Sequence, residues 1–94
     1  MPTYKVVLFA DESQPTQVQY MKNQRKAIEE AIPDLVVEET NQNDPRLKRH
    51  SKQSRANRLP AMLVLKDDFK VQMRNFKLDN SQVIAWIKGI MGIS

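Results

Sequence analysis

The stretch that decides the fold is YKVVLFADESQPTQ, residues 4–17, an apolar run that leads directly into a polar loop and a proline. Residues 4–10 are largely apolar, with β-branched Val6 and Val7 near the start, a pattern that predicts a buried strand. Beyond them, Ser13 is placed to cap a helix, and Pro15 suits the first turn, where its missing N–H would have no partner. The stretch therefore predicts a strand followed by a helix that begins near residue 15.

The rest of the chain continues this alternation of strands and helices. Apolar residues repeat at helical spacing over residues 18–32, and Pro33 is expected to end that helix. Further strands are predicted at 35–40, 61–65 and 69–76, and further helices at 45–56 and from 79 onward. One face of the last strand is expected to carry Phe69, Val71 and Met73.

The resulting order, β-α-β-α-β-β-α, constrains the architecture. Its first half implies parallel pairing through right-handed crossovers, and its second half implies an antiparallel hairpin followed by a helix. We therefore expect an α/β fold with one mixed four-stranded sheet flanked by helices. At 94 residues, the chain is expected to form a single domain spanning positions 1–94.

Composition excludes several classes of function. The chain has no cysteine, which rules out disulfides, thiolate nucleophiles and cysteine-ligated zinc. His50 is the only histidine, and no carboxylate lies close to it in sequence, so neither a metal site nor catalysis is predicted there. No apolar run approaches the roughly 18 residues of a membrane span, and the N-terminus lacks signal-peptide features. We expect a cytoplasmic protein.

The net charge of +4 comes from one place in the chain, which we call the basic segment. Six of the 15 basic residues lie between positions 46 and 58 with no acid among them, leaving nine bases against 11 acids elsewhere. They are Arg46, Lys48, Arg49, Lys52, Arg55 and Arg58. Leu47 is the only large apolar residue of the predicted helix, so the pattern also fits a solvated helix without a ligand.

Two kinds of partner fit the basic segment. Phosphate neutralisation by such a patch would be sensitive to salt and blind to sequence, but no aromatic residue is interleaved to stack on bases. We therefore favour an acidic protein partner and keep nucleic acid as the alternative.

The order of elements, at this length, resembles the thioredoxin and glutaredoxin superfamily. Glutaredoxins follow their first strand with Phe, four residues and Cys-Pro-x-Cys, and here Phe9 precedes Gln14-Pro15-Thr16-Gln17 at the same spacing. The thioredoxin motif, Cys-Gly-Pro-Cys, aligns instead with Ser13-Gln14-Pro15-Thr16, and the residues leave both alignments open. In either case the resemblance is to a cysteine-less, redox-inactive member.

Two further matches lie in the second half of the chain. Pro60 precedes the third strand, where the superfamily has a cis-proline facing the active-site helix. Residues 60–68, followed by a strand and a helix with Trp86, resemble the thioredoxin ending, although Asp68 replaces its turn glycine. The Gly-Gly with which glutaredoxins bind glutathione is missing, so no cofactor is implied. A shorter likeness, Asp44-Pro45-Arg46-Leu47, is to the circadian-clock protein KaiB.

The resemblance implies a surface that we call the former active-site end. Its residues are Ser13, Gln14, Pro15, Thr16 and Gln17 at the helix start, with Leu59 and Pro60. The backbone before a cis-proline can pair with an extended ligand, although the same serine and proline also fit simple helix-start chemistry. We expect a non-catalytic protein-interaction module, an accessory subunit of a larger assembly, and not an enzyme.

Overall fold

The computed structural model describes residues 3–54, 61–67, 69–75 and 79–93. Its elements are β1 (Tyr4–Ala10), α1 (Pro15–Ala31), β2 (Val36–Asn41), α2 (Pro45–Ser54), β3 (Ala61–Lys66), β4 (Phe69–Asn75) and α3 (Asn80–Met91). The predicted α/β architecture is confirmed, and so is the predicted order of its elements.

The four described strands form one mixed sheet in the order β2-β1-β3-β4. β1 pairs in parallel with β2 from Lys5 opposite Val36 to Ala10 opposite Asn41, and its pairing with β3 is antiparallel. β3 and β4 form the predicted antiparallel hairpin. Because β1 and β2 are parallel, the loops that follow them leave the sheet at the same end.

The two faces of the sheet carry separate apolar clusters. α1 and α3 cover the first, which consists of Val6, Leu8, Ala10, Met21, Ile28, Ile32, Leu35, Val37, Met62, Val64, Val83 and Ile87. On the second face lie Val7, Phe9, Ala61, Leu63 and Leu65, against which Leu47 of α2 packs. Residues 6–10 of β1 are all buried because successive side chains enter opposite clusters, which explains the continuous apolar run in the sequence.

A β-bulge interrupts the pairing of β4 with β3. Phe69 is paired with Lys66, whereas Met73 is paired with Leu63, and these two β3 positions face opposite sides of the sheet. The prediction that Phe69, Val71 and Met73 share one face is therefore wrong. The extra residue of the bulge breaks the alternation on which that prediction depended.

The start of α1 differs from the prediction in one residue. Gln14, in an extended conformation, is the N-cap and makes no side-chain capping bond, while Pro15 occupies the first turn as predicted. Ser13 is not the cap, because its hydroxyl donates to Asp11 Oδ1 at 2.7 Å. The serine therefore shapes the loop before the helix rather than satisfying the helix amides.

The start of α3 follows the prediction. Asp79 accepts a hydrogen bond from the backbone N–H of Gln82, whose side chain accepts one from the Asp79 N–H, which completes a capping box. At the other end Gly92 has φ of 74°, the left-handed conformation that commonly closes a helix.

Candidate functional site

The loop between β1 and α1 is folded around Asp11. Its carboxylate accepts hydrogen bonds from the Ser13 N–H at 2.9 Å and from the Ser13 hydroxyl at 2.7 Å. The Asp11 N–H donates to Gln17 Oε1 at 3.0 Å, and its carbonyl accepts from the Gln14 N–H at 2.9 Å. The Ser13 hydroxyl lowers the pKa of Asp11, which keeps the carboxylate ionised as an acceptor. These four hydrogen bonds tie the loop to the first turn of α1.

Most of the former active-site end that the structure describes lies at the surface. Ser13, Gln14, Pro15 and Thr16 are exposed, whereas Gln17 is half-buried and its side chain turns back to the loop. Leu59 and Pro60 lie outside the described residues, so their approach to the start of α1 remains a prediction.

Side chains join this loop to the one that follows β2. The Glu12 N–H donates to Gln42 Oε1 at 3.0 Å, and Asn41 Nδ2 donates to Glu12 Oε1 at 2.6 Å. Both loops therefore form one surface at the carboxyl ends of the parallel strands, where ligands bind in many α/β proteins. Sequence reasoning did not single out Glu12, Asn41 or Gln42, although each is a polar residue following a strand at that end.

Arg46 holds the start of α2 to β2. Its guanidinium contacts the carboxylates of Glu38 and Asp44, the latter at 2.9 Å. Glu38 also accepts from Lys5 Nζ at 2.9 Å, and Asp44 accepts from the Thr40 hydroxyl at 2.9 Å. We call these five residues the Arg46 network. It connects β1, β2 and the first turn of α2.

The ionised groups of the Arg46 network stabilise one another's charged forms. The Arg46 guanidinium holds the pKa values of Asp44 and Glu38 below their ordinary range, and Lys5 adds to the effect on Glu38. In return Asp44, followed by Glu38, raises the pKa of Arg46. One cation of the basic segment is thus engaged within the fold, and its side chain is only 24% exposed.

The remainder of the basic segment is only partly described. Lys48 and Arg49 lie on α2 at the surface. Lys52 belongs to α2, but its side chain lies outside the description, as do Arg55 and Arg58 altogether. Binding by this segment therefore remains a prediction.

A groove of about 320 Å³ opens between α1 and the carboxyl end of β2. Apolar atoms of Ala10, Val18 and Met21 line it, together with Lys22 and Glu39. Glu12 also borders it, so the groove adjoins the joined loops. Sequence reasoning did not predict this groove, because its walls come from three separate elements, β1, α1 and β2.

Residues 3–54, 61–67, 69–75 and 79–93 contain neither a cluster of metal-ligating side chains nor a membrane-spanning helix. Within these ranges no three His, Cys, Asp or Glu side chains are grouped so as to hold a metal ion. None of the helices described there has the length and apolarity to cross a membrane.

Solved structures resemble this chain in fold. Thioredoxin-2 of a malaria parasite matches with a TM-score of 0.71 over 94% of this chain and 84% of its own, at 12% identity. Thioredoxin 1 of Thermosipho africanus gives a TM-score of 0.64, with 94% of each chain covered and 16% identity. The fold is thioredoxin-like. Thioredoxin O2 of Arabidopsis thaliana agrees, with a TM-score of 0.65 over 93% of this chain and 74% of its own, at 10% identity.

Sequence comparison adds nothing to this likeness, since no protein-family model and no curated protein matches the chain. The thioredoxin-like fold is present here without a single cysteine. Dithiol–disulfide exchange needs a thiolate, so the start of α1 has no group that could carry it out.

Proposed function

We propose that this chain is a non-catalytic, cytoplasmic thioredoxin-fold module that binds a protein partner through the former active-site end, as an accessory or structural subunit of a larger assembly. The observation that carries the proposal is that the β1–α1 loop is both exposed and internally hydrogen-bonded. Ser13, Gln14, Pro15 and Thr16 are presented to solvent, while hydrogen bonds to Asp11 hold the loop beneath them. A pre-organised surface loses less conformational entropy when it binds.

Charge supports an acidic partner. α2 follows the loop after β2, which the bond from Asn41 to Glu12 joins to the β1–α1 loop, and we infer from this order that Arg49 lies near the former active-site end. The acids nearest to α2, Glu38 and Asp44, are already paired with Arg46. An acidic partner would therefore meet cations of α2 without competing for Arg46, and charge complementarity of this kind favours specificity and fast association.

Membership of an assembly has a precedent among the structures of this fold. The malaria-parasite thioredoxin-2 is described as a component of a protein secretion machinery. That description belongs to the parasite protein, and here it supports only the idea that such a fold can serve as a subunit.

The test is a quantitative pull-down from source-cell extract, comparing wild type with variants of equal stability. Gln14→Trp combined with Thr16→Trp fills the proposed surface, and Glu30→Trp is the matched control at the far end of the same helix. Arg49→Glu combined with Lys52→Glu reverses charge on α2 without touching Arg46. We expect the same partner to be lost with both double variants and retained with Glu30→Trp. Retention of all partners by the Gln14/Thr16 variant would contradict the proposal.

Nucleic-acid binding through the basic segment is the alternative, favoured by six cations within 13 positions. It predicts retention on immobilised DNA that falls steeply as salt rises, because released counterions drive such binding. Absence of retention at low salt would eliminate it.

A further inference from the structure

β2 is one edge of the described sheet, since its only strand neighbour in the order β2-β1-β3-β4 is β1. An edge strand presents backbone N–H and C=O groups that an added strand can pair with, and most proteins protect their edges against this. The side of β2 that faces away from β1 is called here the outer edge of β2. The described residues leave it without a neighbouring strand.

The two edges of the sheet differ in their protection. β4 carries a bulge in its pairing with β3, and its sequence includes Lys70 and Arg74. Bulges and basic residues are common devices that prevent strand addition. β2 has neither, because its pairing with β1 is regular over all six residues, 36–41, and its sequence, VVEETN, contains no lysine, arginine or proline.

The two carboxylates of β2 do not guard its outer edge either. Glu38 pairs with Lys5 at 2.9 Å and with Arg46 on one face of the sheet. Glu39 lies on the other face, with one oxygen 3.7 Å from Arg25. Lys5 and Arg46 balance Glu38, whereas Glu39 shares Arg25 with Glu29, whose Oε1 lies closer to Arg25, at 2.7 Å. An incoming strand would therefore meet a small negative charge and no cation on β2.

An exposed apolar residue lies at the start of this edge, and a groove of mixed polarity lies beside its carboxyl end. Val36, the first residue of β2, is 52% exposed. At the carboxyl end, the 320 Å³ groove lies on the same face of the sheet as Glu39 and Asn41, with Val18 and Met21 of α1 above it. A side chain projecting from an added strand on that face would lie beside this groove.

We propose that the outer edge of β2 accepts an extended, uncharged segment of a partner protein as an added strand, with an apolar side chain of that segment in the groove beside Met21. Acidic segments are disfavoured by Glu38 and Glu39, and basic segments gain little from carboxylates that are already paired. A second copy of this chain is disfavoured too, since antiparallel self-pairing centred on β2 places glutamates opposite each other.

The proposal concerns a surface other than the former active-site end, so each can fail without the other. A random dodecapeptide phage library is panned on the immobilised wild-type protein, and the selected peptide is synthesised with a fluorescent label. We expect a consensus of uncharged, β-branched residues, the type that favours strands.

Two variants of the edge strands are then compared by fluorescence anisotropy with the labelled peptide. Val36→Lys puts a cation on the outer edge of β2, and Val71→Lys makes the same change on β4, where Val71 is 40% exposed. We expect Val36→Lys to weaken binding by at least about tenfold and Val71→Lys by less than about twofold. Equal losses in both variants, an acidic consensus or the recovery of no binding peptide would each overturn the proposal.

Amide hydrogen exchange distinguishes strand addition from a general change in folding. Bound peptide should slow exchange at alternate residues of β2, because alternate N–H groups of a strand point toward the same neighbour. Protection confined to residues 11–17 would refute strand addition.

Sedimentation of the protein alone should show a monomer. A dimer that Val36→Lys abolishes would mean that a second copy occupies the outer edge of β2, contrary to the proposal.

Discussion

Arg46 is the residue whose loss should matter most outside the apolar core. Its guanidinium is the shared partner of Glu38 and Asp44, and the side chains of these three residues are 24%, 36% and 12% exposed. Arg46→Ala removes the cation and leaves two partly buried carboxylates with fewer partners. Because solvent screens Glu38, we expect a loss of about 1–3 kcal/mol in the free energy of unfolding, measured by urea titration.

Arg49 provides the matched control on the same helix. It is exposed on α2, and Arg49→Ala should change the free energy of unfolding by less than about 0.5 kcal/mol. Equal effects of the two substitutions would mean that Arg46 contributes as a general surface charge and not through its two carboxylates.

The Arg46 network also predicts how stability depends on pH. Hydrogen bonds from Arg46 depress the pKa of Asp44 from its ordinary 3.8 and that of Glu38 from 4.5 in the folded state. A depressed pKa means that the stabilisation is fully present above the unfolded-state values and is lost as the pH falls through the folded-state values. We expect the free energy of unfolding to decrease below about pH 4.5, and to decrease less steeply in Arg46→Ala. Parallel acid profiles for the two proteins would contradict this assignment.

Among the elements, α3 contains Gly89 and is capped by Gly92, and these two glycines should respond to the same substitution with opposite signs. An added Cβ has open space at both Gly89 and Gly92, but only Gly92 has a positive φ, of 74°. Gly89→Ala should stabilise the protein by about 0.5–1 kcal/mol by favouring the helix. Gly92→Ala should destabilise it by about 1 kcal/mol, since alanine is strained in that conformation.

Thermal unfolding followed by circular dichroism at 222 nm checks the glycine pair, with each variant compared with wild type in the same buffer. A lowered midpoint for Gly89→Ala would show that its position is not governed by helix propensity. Because neither added methyl group meets another atom, packing cannot explain a difference in sign.

Patterns of neighbouring residues predicted the helices and strands, and the two predictions that were wrong, on β4 and on the cap of α1, have physical causes. The continuous apolar run of residues 6–10 and the Asp79 cap are features of consecutive residues, so the sequence identified β1 and the start of α3. The bulge in β4 depends on how that strand aligns with β3, which no pattern within the strand reveals. Ser13 was expected to cap α1, but the nearby Asp11 carboxylate takes its hydroxyl instead.

At the scale of the whole molecule, the fold should still accommodate a disulfide at the start of α1, although the sequence contains no cysteine. The Gln17 N–H donates to the Gln14 carbonyl at 3.0 Å, a turn that brings the two Cα atoms within about 7 Å, close to the range of a disulfide. We expect Gln14→Cys combined with Gln17→Cys to close an intramolecular disulfide in air, counted by thiol titration and mass spectrometry.

Ser13→Cys combined with Thr16→Cys is the control for this pair and distinguishes the two alignments with redox-active relatives. Ser13 lies before the N-cap, Gln14, and is held by Asp11, so this second pair should close more slowly. Faster closure of the Ser13/Thr16 pair would favour the thioredoxin alignment over the glutaredoxin one.

The candidate site was predictable only in part. Residues 13–17 were identified because they are consecutive, and the structure places most of them at the surface. The bonds of Glu12 to the loop after β2, and the engagement of Arg46 by Glu38, depend on β2 lying beside β1. Such contacts between distant parts of the chain become visible only when the strands are paired.

The attachment of α2 divides the molecule into parts of unequal local stability. Whereas α1 and α3 share the larger apolar cluster, the described contribution of α2 to apolar packing is Leu47. Local opening of α2 should therefore require less free energy than global unfolding, and salt should promote it by weakening the Arg46 network. Each opening would expose Val7, Phe9 and their neighbours in the second apolar cluster, and exposed apolar surface of this kind favours aggregation. A partner that binds α2 would then also reduce aggregation, because it stabilises the state in which α2 is packed against the sheet.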